Sequence, residues 1–353
     1  MLEAADVARY LLDRELLSPR AVVDGGLRVV DRSRLNRVFV ATADRERCLV
    51  LKAGGPAPAR EAAVLERLRI ADRGGELARA LPVTVAHDGA AEVLVLESAP
   101  DAHDLADHCG RGRFSRALAR AAGRALARLH TISPRALDGL APMPHRARIE
   151  QLHRPDLDTL HTLSPAAAEL TGLVQGMEDL CVNLDDLLAG WSEASVVHGD
   201  VRWDNCLAVR RSGRWTGLQL IDWELCGAGD PGLDIGAFFG EHLRAWLQSI
   251  PIVDRRDPGR LLPHARLPLR RMRPALGAFW DAYVRHRGAD RAELTRTLRR
   301  ATRFAAVRLL TAALEEAQTL TELRASVLHL LPLSRNILRR PDEASARLLG
   351  LGA

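Results

Sequence analysis

The chain has 353 residues, 47% hydrophobic and 27% charged, with a formal net charge of +5. That is the composition of a folded globular protein rather than a disordered one, at a length that allows two lobes or domains. No apolar run approaches the roughly 18–20 residues of a membrane-spanning helix, and five cysteines without a C-x-x-C pair indicate neither a disulfide framework nor a zinc site.

The start, Met1-Leu2-Glu3-Ala4-Ala5-Asp6, is acidic and lacks the basic-then-apolar order of a secretory signal, so a reduced, cytoplasmic protein is expected. Helical spacing of Val7, Leu11 and Leu12 predicts a helix over 4–15, ahead of the helix-start signal Ser18-Pro19. Strands are predicted over 27–30, 37–42 and 48–52. Gly54-Gly55-Pro56 breaks the chain, and 60–70 follows as a helix with Ala63, Leu65 and Leu68 inward. Two further strands, 83–87 and 92–96, flank the turn Asp88-Gly89. Beyond residue 100 helices are predicted over 115–129, 165–188, 234–248, 291–318 and 320–331, interrupted by short strands at 207–209 and 218–221. The segment 251–274 has no clear period and reads as a loop or partly helical insertion.

Lysine occurs once, at Lys52, against 49 arginines. Where arginine serves nearly everywhere, the exception marks a place suited to a compact point charge rather than a planar fork. Lys52 ends the apolar run Cys48-Leu49-Val50-Leu51 and precedes Gly54-Gly55, which suits a pocket built for phosphate oxygens. The most informative segment is Val197-His198-Gly199-Asp200-Val201-Arg202-Trp203-Asp204-Asn205, a loop between a helix and a strand. A second strand ends in a carboxylate at Ile221-Asp222-Trp223-Glu224, followed by Gly229-Asp230-Pro231 and Asp234-Ile235-Gly236. An Asp, an Asn, a second Asp and a buried Lys are the parts that phosphoryl transfer needs. Asp200 can orient a hydroxyl and take its proton. Asn205 and Asp222 offer hard oxygens to Mg²⁺, Lys52 can hold phosphates, and Arg202 can steady the migrating group or the acceptor.

This pattern resembles the aminoglycoside phosphotransferase and choline kinase-like family, distant relatives of the protein kinases, over about residues 27–318. Asp200 to Asn205 has the spacing of the kinase catalytic loop H-R-D-L-x-x-x-N, with Gly199 in place of its Arg. Arg202 stands where Ser/Thr kinases commonly carry a lysine, and Asp222 takes the place of the metal-binding Asp of D-F-G. The resemblance implies an α+β, bilobal, kinase-like fold: a nucleotide-binding lobe over 1–96 with a five-stranded antiparallel sheet and a helix, a hinge over 97–100, and a mainly helical catalytic and substrate-binding lobe over 101–353. It implies ATP (or GTP) and Mg²⁺, with Glu61 rather than Glu66 holding Lys52. Asp31-Arg32-Ser33-Arg34-Leu35-Asn36 lacks the kinase glycines, so Ser33 and Asn36 are expected to replace some of their donors. Glu97, Ser98 and Ala99 would read adenine. His198 is expected to brace the loop, Asp234 to be a buried brace or cap, and Trp203, Trp223, Cys206 and Cys226 to pack.

The acceptor is less legible. Residues 231–353 hold 21 arginines against 12 acidic residues, a charge of +9 that leaves −4 on the first 230. Within 251–274 lie Arg255, Arg256, Arg260, Arg266, Arg270, Arg271 and Arg273. Such a cluster disfavours a polycation and favours an anionic or neutral acceptor, with Arg255, Arg256, Arg270 and Arg271 as candidate contacts. The expected acceptor is a Ser/Thr hydroxyl of an acidic precursor peptide in natural-product biosynthesis, with a separate lyase as partner. The alternatives are a small metabolite or antibiotic, and a catalytically silent kinase-like binding module. Nucleic acid is disfavoured because the cluster has no interleaved aromatics.

Overall fold

Five antiparallel strands, β1 (Arg28–Asp31), β2 (Arg37–Ala43), β3 (Arg47–Ala53), β4 (Val83–Asp88) and β5 (Val93–Ser98), pair in the order β1-β2-β3-β5-β4. The computed structural model describes residues 2–23, 26–33, 36–43, 47–73, 75–99, 101–211, 213–251 and 264–352. Alternation along β3 separates its side chains between the sheet's faces. Leu49, Leu51 and Ala53 join Val7, Leu11, Phe39, Val93 and Val95 in a small core on one face. Val50 and Lys52 face the other way, opposite Leu96 and Leu94, which pack with Val64, Leu65 and Leu68 of the helix Ala57–Asp72. Glu61, Leu65, Leu68 and Asp72 line one side of that helix, all buried.

Five strands of the second lobe hold the two motif loops face to face. β6 (His103–Asp104), β8 (Cys206–Arg211) and β9 (Arg214–Leu220) form one small sheet, and β7 (Ser195–Val197) pairs with β10 (Gly227–Gly229). The loop carrying Asp200 runs from β7 to β8, and the loop carrying Asp222 runs from β9 to β10. Because β7 pairs with β10 and β8 with β9, each loop is pinned at both ends beside the other.

The helical layers lie behind these loops. Gly232, Gly236 and Gly240 form a side-chain-free row on the helix Pro231–Gln248, which lets it close on the helix Arg291–Ala317. A Cβ at Gly236 would stand 2.4 Å from Phe304 Cβ and 2.6 Å from the Ala301 carbonyl oxygen. No helix among the described residues is long and apolar enough to cross a membrane.

The structure departs from the sequence expectation in three helices. The single helix expected over 165–188 is two, Pro165–Gln175 and Glu178–Ala189, separated at Gly176-Met177. Over 320–331 helix begins only at Ala325, and Leu330–Arg339 follows. The helix Leu269–Arg287 was hidden within and beyond the arginine-rich stretch because Pro274 and five arginines obscure its buried stripe, Met272, Ala275, Leu276, Phe279 and Tyr283. Residues 252–263 of that stretch lie outside the described residues. The strand β5 runs through Ser98, so Glu97 and Ser98 lie in the sheet, paired with Leu49 and Cys48.

The glycine row carries a stability prediction. Gly236→Ala forces a methyl into the Phe304–Ala301 contact, and overpacking of this kind typically costs about 1–3 kcal/mol. Denaturant unfolding should show a lower midpoint with an unchanged slope.

Candidate active site

Lys52 Nζ lies 2.6 Å from Glu61 Oε2 and 2.7 Å from Asp222 Oδ1. Burial alone would lower the ammonium's pKa, but the Glu61 and Asp222 carboxylates outweigh it and hold it above the ordinary lysine range. Burial likewise pushes Asp222 up, and Lys52 more than reverses the shift, leaving its carboxyl below the usual range. Glu61 Oε1 accepts the Trp223 backbone N–H at 3.2 Å, so both oxygens are engaged. Asp222 itself has φ of 69°, a left-handed conformation that Asp tolerates better than most residues and that turns the chain sharply out of β9.

The facing loop is braced from beneath by a buried carboxylate. Asp234 accepts the backbone N–H of His198 at 2.7 Å and of Gly199 at 2.9 Å, while the His130 ring nitrogen stands 3.1 Å away. His198 Nε2 lies 3.0 Å from the Ile221 carbonyl, and its Nδ1 accepts the Asp200 N–H at 3.3 Å. That is the Nε2–H tautomer, a strut between the two loops. Gly199 has φ of +82°, and a Cβ there would stand 2.3 Å from His145 Cε1, so no side chain fits.

Asn205 donates its amide to Asp200 twice, to the backbone oxygen at 3.0 Å and to Oδ2 at 2.8 Å. That leaves the Asn205 amide oxygen and the second Asp222 oxygen as hard donors. Burial raises the Asp200 carboxyl above its usual pKa despite Arg202 nearby. Arg202 sits among three carboxylates, with Nε 3.3 Å from Asp200 Oδ1 and its terminal nitrogens 3.4 Å from Asp204 Oδ2 and 3.7 Å from Glu315 Oε2. Trp203 and Trp223 are buried, and burial pushes the Cys206 and Cys226 thiols well up, so neither offers a thiolate.

Ser33 and Asn36 both order the glycine-free loop. Ser33 Oγ accepts the Val38 N–H at 3.1 Å, and Asn36 donates to Glu224 Oε2 at 2.7 Å, across to the other lobe. Glu224 escaped the sequence reading although it stands two residues after Asp222. Burial, and then Asp222, raise its carboxyl. Arg60 also escaped it. Its guanidinium donates to the carbonyls of Glu224, Cys226 and Ala141, tying the helix Ala57–Asp72 to the loop after Asp222. Ala99 lies just past β5, where its carbonyl accepts the Ala102 N–H at 3.0 Å. Glu66 lines a surface cavity with Arg69 and His87 and makes no contact with Lys52.

No described arginine of the cluster contacts Lys52, Asp200 or Asp222. Arg255, Arg256 and Arg260 lie outside the described residues. Arg270 is exposed, Arg271 donates to the Gly112 carbonyl at 2.8 Å, and Arg273 donates to the carbonyls of Leu348 and Arg347. The side of the cleft next to Asp200 instead carries alternating charges. Arg308 donates to Glu241 at 2.8 Å and to both oxygens of Glu315 at 3.1 and 3.2 Å, and Arg244 donates to Glu241 at 2.8 Å.

A bilobal fold with a buried Lys–Glu pair in one lobe and an Asp–Asn loop and a second Asp in the other defines a kinase-like phosphotransferase scaffold. The sequence profile of the phosphotransferase enzyme family (APH) matches residues 26–257, and the chain belongs to that family. No match was found among proteins of curated function. Among solved structures, the chain is similar to a choline/ethanolamine kinase family protein from Mesorhizobium loti, at 19% identity and a TM-score of 0.53 over 96% of both chains. It is similar to a thermostable aminoglycoside phosphotransferase mutant in complex with ADP and hygromycin B, at 14% identity and a TM-score of 0.52 over 95% of this chain and 98% of that one. A macrolide 2′-phosphotransferase type I matches at 18% identity and a TM-score of 0.50 over 96% and 98%.

Buried charge near the site gives a pH signature. Burial pushes Glu241 up, but Arg308 and Arg244 overcome it and hold its pKa at about 2 against an ordinary 4.5. A depressed folded-state pKa contributes stability that is present above 4.5 and lost as pH falls toward 2. Glu241→Gln should therefore flatten the stability–pH curve in that window while lowering stability at neutral pH, as chemical denaturation at each pH would record.

Proposed function

We propose that the chain transfers the γ-phosphoryl group of ATP, with Mg²⁺, to a hydroxyl group of a small molecule. The observation that carries this reading is the buried Lys52 ammonium paired at 2.6 Å with Glu61 and 2.7 Å with Asp222, opposite an Asp200 whose Oδ2 is held by Asn205. Lys52 would hold nucleotide phosphates, and Ser33, Asn36 and the segment Glu97, Ser98 and Ala99 would border the nucleotide. Asp200, its pKa raised by burial, would orient the acceptor hydroxyl and take its proton. Arg202 is close enough to Asp200 to neutralise charge on the migrating group.

The donor set fits magnesium. Asn205, Asp222 and the nearby Glu224 supply oxygen only, and among the described residues no three His, Cys, Asp or Glu side chains gather into a self-sufficient metal site. That matches an ion that keeps waters and substrate phosphates and takes one or two protein carboxylates. When bound, it would neutralise charge on the β- and γ-phosphates.

A small-molecule acceptor is favoured over a precursor peptide with a partner lyase. The relatives named above include choline, aminoglycoside and macrolide kinases. The arginines that motivated an acidic peptide are outside the described residues, exposed, or engaged on backbone carbonyls. The surface beside Asp200 mixes the exposed carboxylates of Asp204 and Glu315 with Arg202, which suits a polar, hydroxyl-rich compound and gives no reason to exclude an amine.

Mass spectrometry on a panel of choline, aminoglycoside, macrolide and peptide acceptors with Mg-ATP should detect a gain of roughly 80 Da on one small molecule, the mass of a transferred phosphoryl group. Asp200→Ala should lower kcat by about 10²–10⁴-fold with nucleotide affinity retained, whereas Asp222→Ala should also weaken Mg-nucleotide binding. Transfer that survives both substitutions would overturn the assignment, and a phosphorylated peptide with no small-molecule product would restore the peptide reading.

A further inference from the structure

The two carboxylate oxygens of Asp200 are not equivalent. Oδ2 accepts the Asn205 amide at 2.8 Å, which leaves Oδ1 for an acceptor hydroxyl. Arg202 Nε stands 3.3 Å from that same Oδ1 and is a buried donor without a hydrogen bond. A guanidinium so placed has a strong drive to close the gap, since charge-assisted N–H···O⁻ bonds are short and leaving a buried donor unpaired is costly. Closure would take one of the two lone pairs of Oδ1, crowd the other and lower the basicity of the oxygen the acceptor needs.

The opposing pull acts on the other end of the guanidinium. One terminal nitrogen lies 3.4 Å from Asp204 and the other 3.7 Å from Glu315. Asp204 belongs to the same short loop and can follow Arg202. Glu315 cannot, because both its oxygens accept the fork of Arg308 at 3.1 and 3.2 Å. Arg308 is only 9% exposed and donates to Glu241, itself buried and also bonded to Arg244. The line Arg244–Glu241–Arg308–Glu315–Arg202–Asp200 therefore runs from the helix Pro231–Gln248, across the helix Arg291–Ala317, to the loop. Its anchor is rigid, since Arg308 Cβ also sits against the glycine row at Gly240.

We infer that Glu315, fixed by Arg308 and Glu241, is a positioning residue that holds the Arg202 guanidinium back from Asp200 and keeps Oδ1 open for the acceptor. The inference rests on the proposed role of Asp200 as the group that receives the acceptor's proton. Glu315 touches no reacting atom in this scheme. Its action passes entirely through Arg202, which separates it from a residue that merely joins two helices.

Glu315→Gln keeps the shape and removes the charge. Glu316→Gln is the control, because Glu316 bonds to Gln248 and Ser326 and pairs with no arginine among the described residues. Crystals of Glu315→Gln, without nucleotide or acceptor, should show Arg202 Nε closed onto Asp200 Oδ1 at about 2.8 Å. An unmoved Arg202 would overturn the inference, and this readout needs no activity. In solution, hydrolysis of Mg-ATP with water as acceptor should fall at least about tenfold in kcat with KM for ATP unchanged. The fall should vanish in an Arg202→Ala background, where no guanidinium remains to close. An equal fall in both backgrounds, or a matching fall in Glu316→Gln, would make Glu315 an ordinary structural residue and overturn the inference. A parent without any phosphoryl transfer, together with a closed Arg202 in the variant crystals, would strike the proposed function and leave the geometric inference standing.

Discussion

The site depends on one buried ammonium shared between two lobes. Lys52 comes from the central strand of the sheet, Glu61 from the helix behind it, and Asp222 from the other lobe. An ammonium this buried would be costly alone, and removing one member of a buried ion set leaves uncompensated charge behind. The same three groups therefore fix the approach of the lobes and the chemistry between them. Arginine could not replace the lysine without change, because a planar fork would spread over the point where two carboxylates converge within 2.7 Å of a single nitrogen.

The second constraint is topological. Two strand pairs, β7 with β10 and β8 with β9, anchor the ends of two loops, so Asp200 and Asp222 face one cleft before any side-chain contact forms. Asp234 then takes the two backbone N–H groups of His198 and Gly199, and His198 spans to Ile221. The first of these bonds is buried and the other two are partly buried, so little solvent has to rearrange around them. Fixed dipoles of this kind suit phosphoryl transfer, in which positioning and charge neutralisation carry most of the catalysis.

What the sequence made legible were features with local signatures. The sheet, the pairing of Lys52 with Glu61 and the nearness of Asp200 to Asn205 could be read because a buried strand is a run of apolar residues and the loop motif has a fixed spacing. Glu224 was within reach, since it stands beside Asp222 in the quoted motif, but an acidic residue after a tryptophan has no local property that reveals a partner 188 positions away at Asn36. Arg308 and Glu315 were out of reach for the same reason. Both lie in a long helix crowded with arginine and glutamate, where any i,i+7 pair resembles a solvated face. The helix Leu269–Arg287 was lost because its apolar stripe is narrow and its first turns carry Arg270, Arg271, Arg273 and Pro274.

The charge asymmetry of the chain carries less about the acceptor than its size suggests, for a physical reason. An excess of positive charge in the last third acts on an acceptor only if it projects, unpaired, into the cleft. Several described arginines of the last third have partners: Arg300 pairs with Asp230, Arg303 with Asp186 and Arg308 with Glu241 and Glu315, while the exposed Arg271 and Arg273 donate to backbone carbonyls. A carboxylate partner offsets an arginine's charge locally, whereas a carbonyl partner leaves it in place, so charge counted along the chain does not translate directly into a field at the cleft. Net charge along a sequence is therefore an incomplete guide when the basic residue is also the chain's general-purpose cation. The single lysine is the better guide, because it departs from that habit, and it stands where phosphate chemistry would place it.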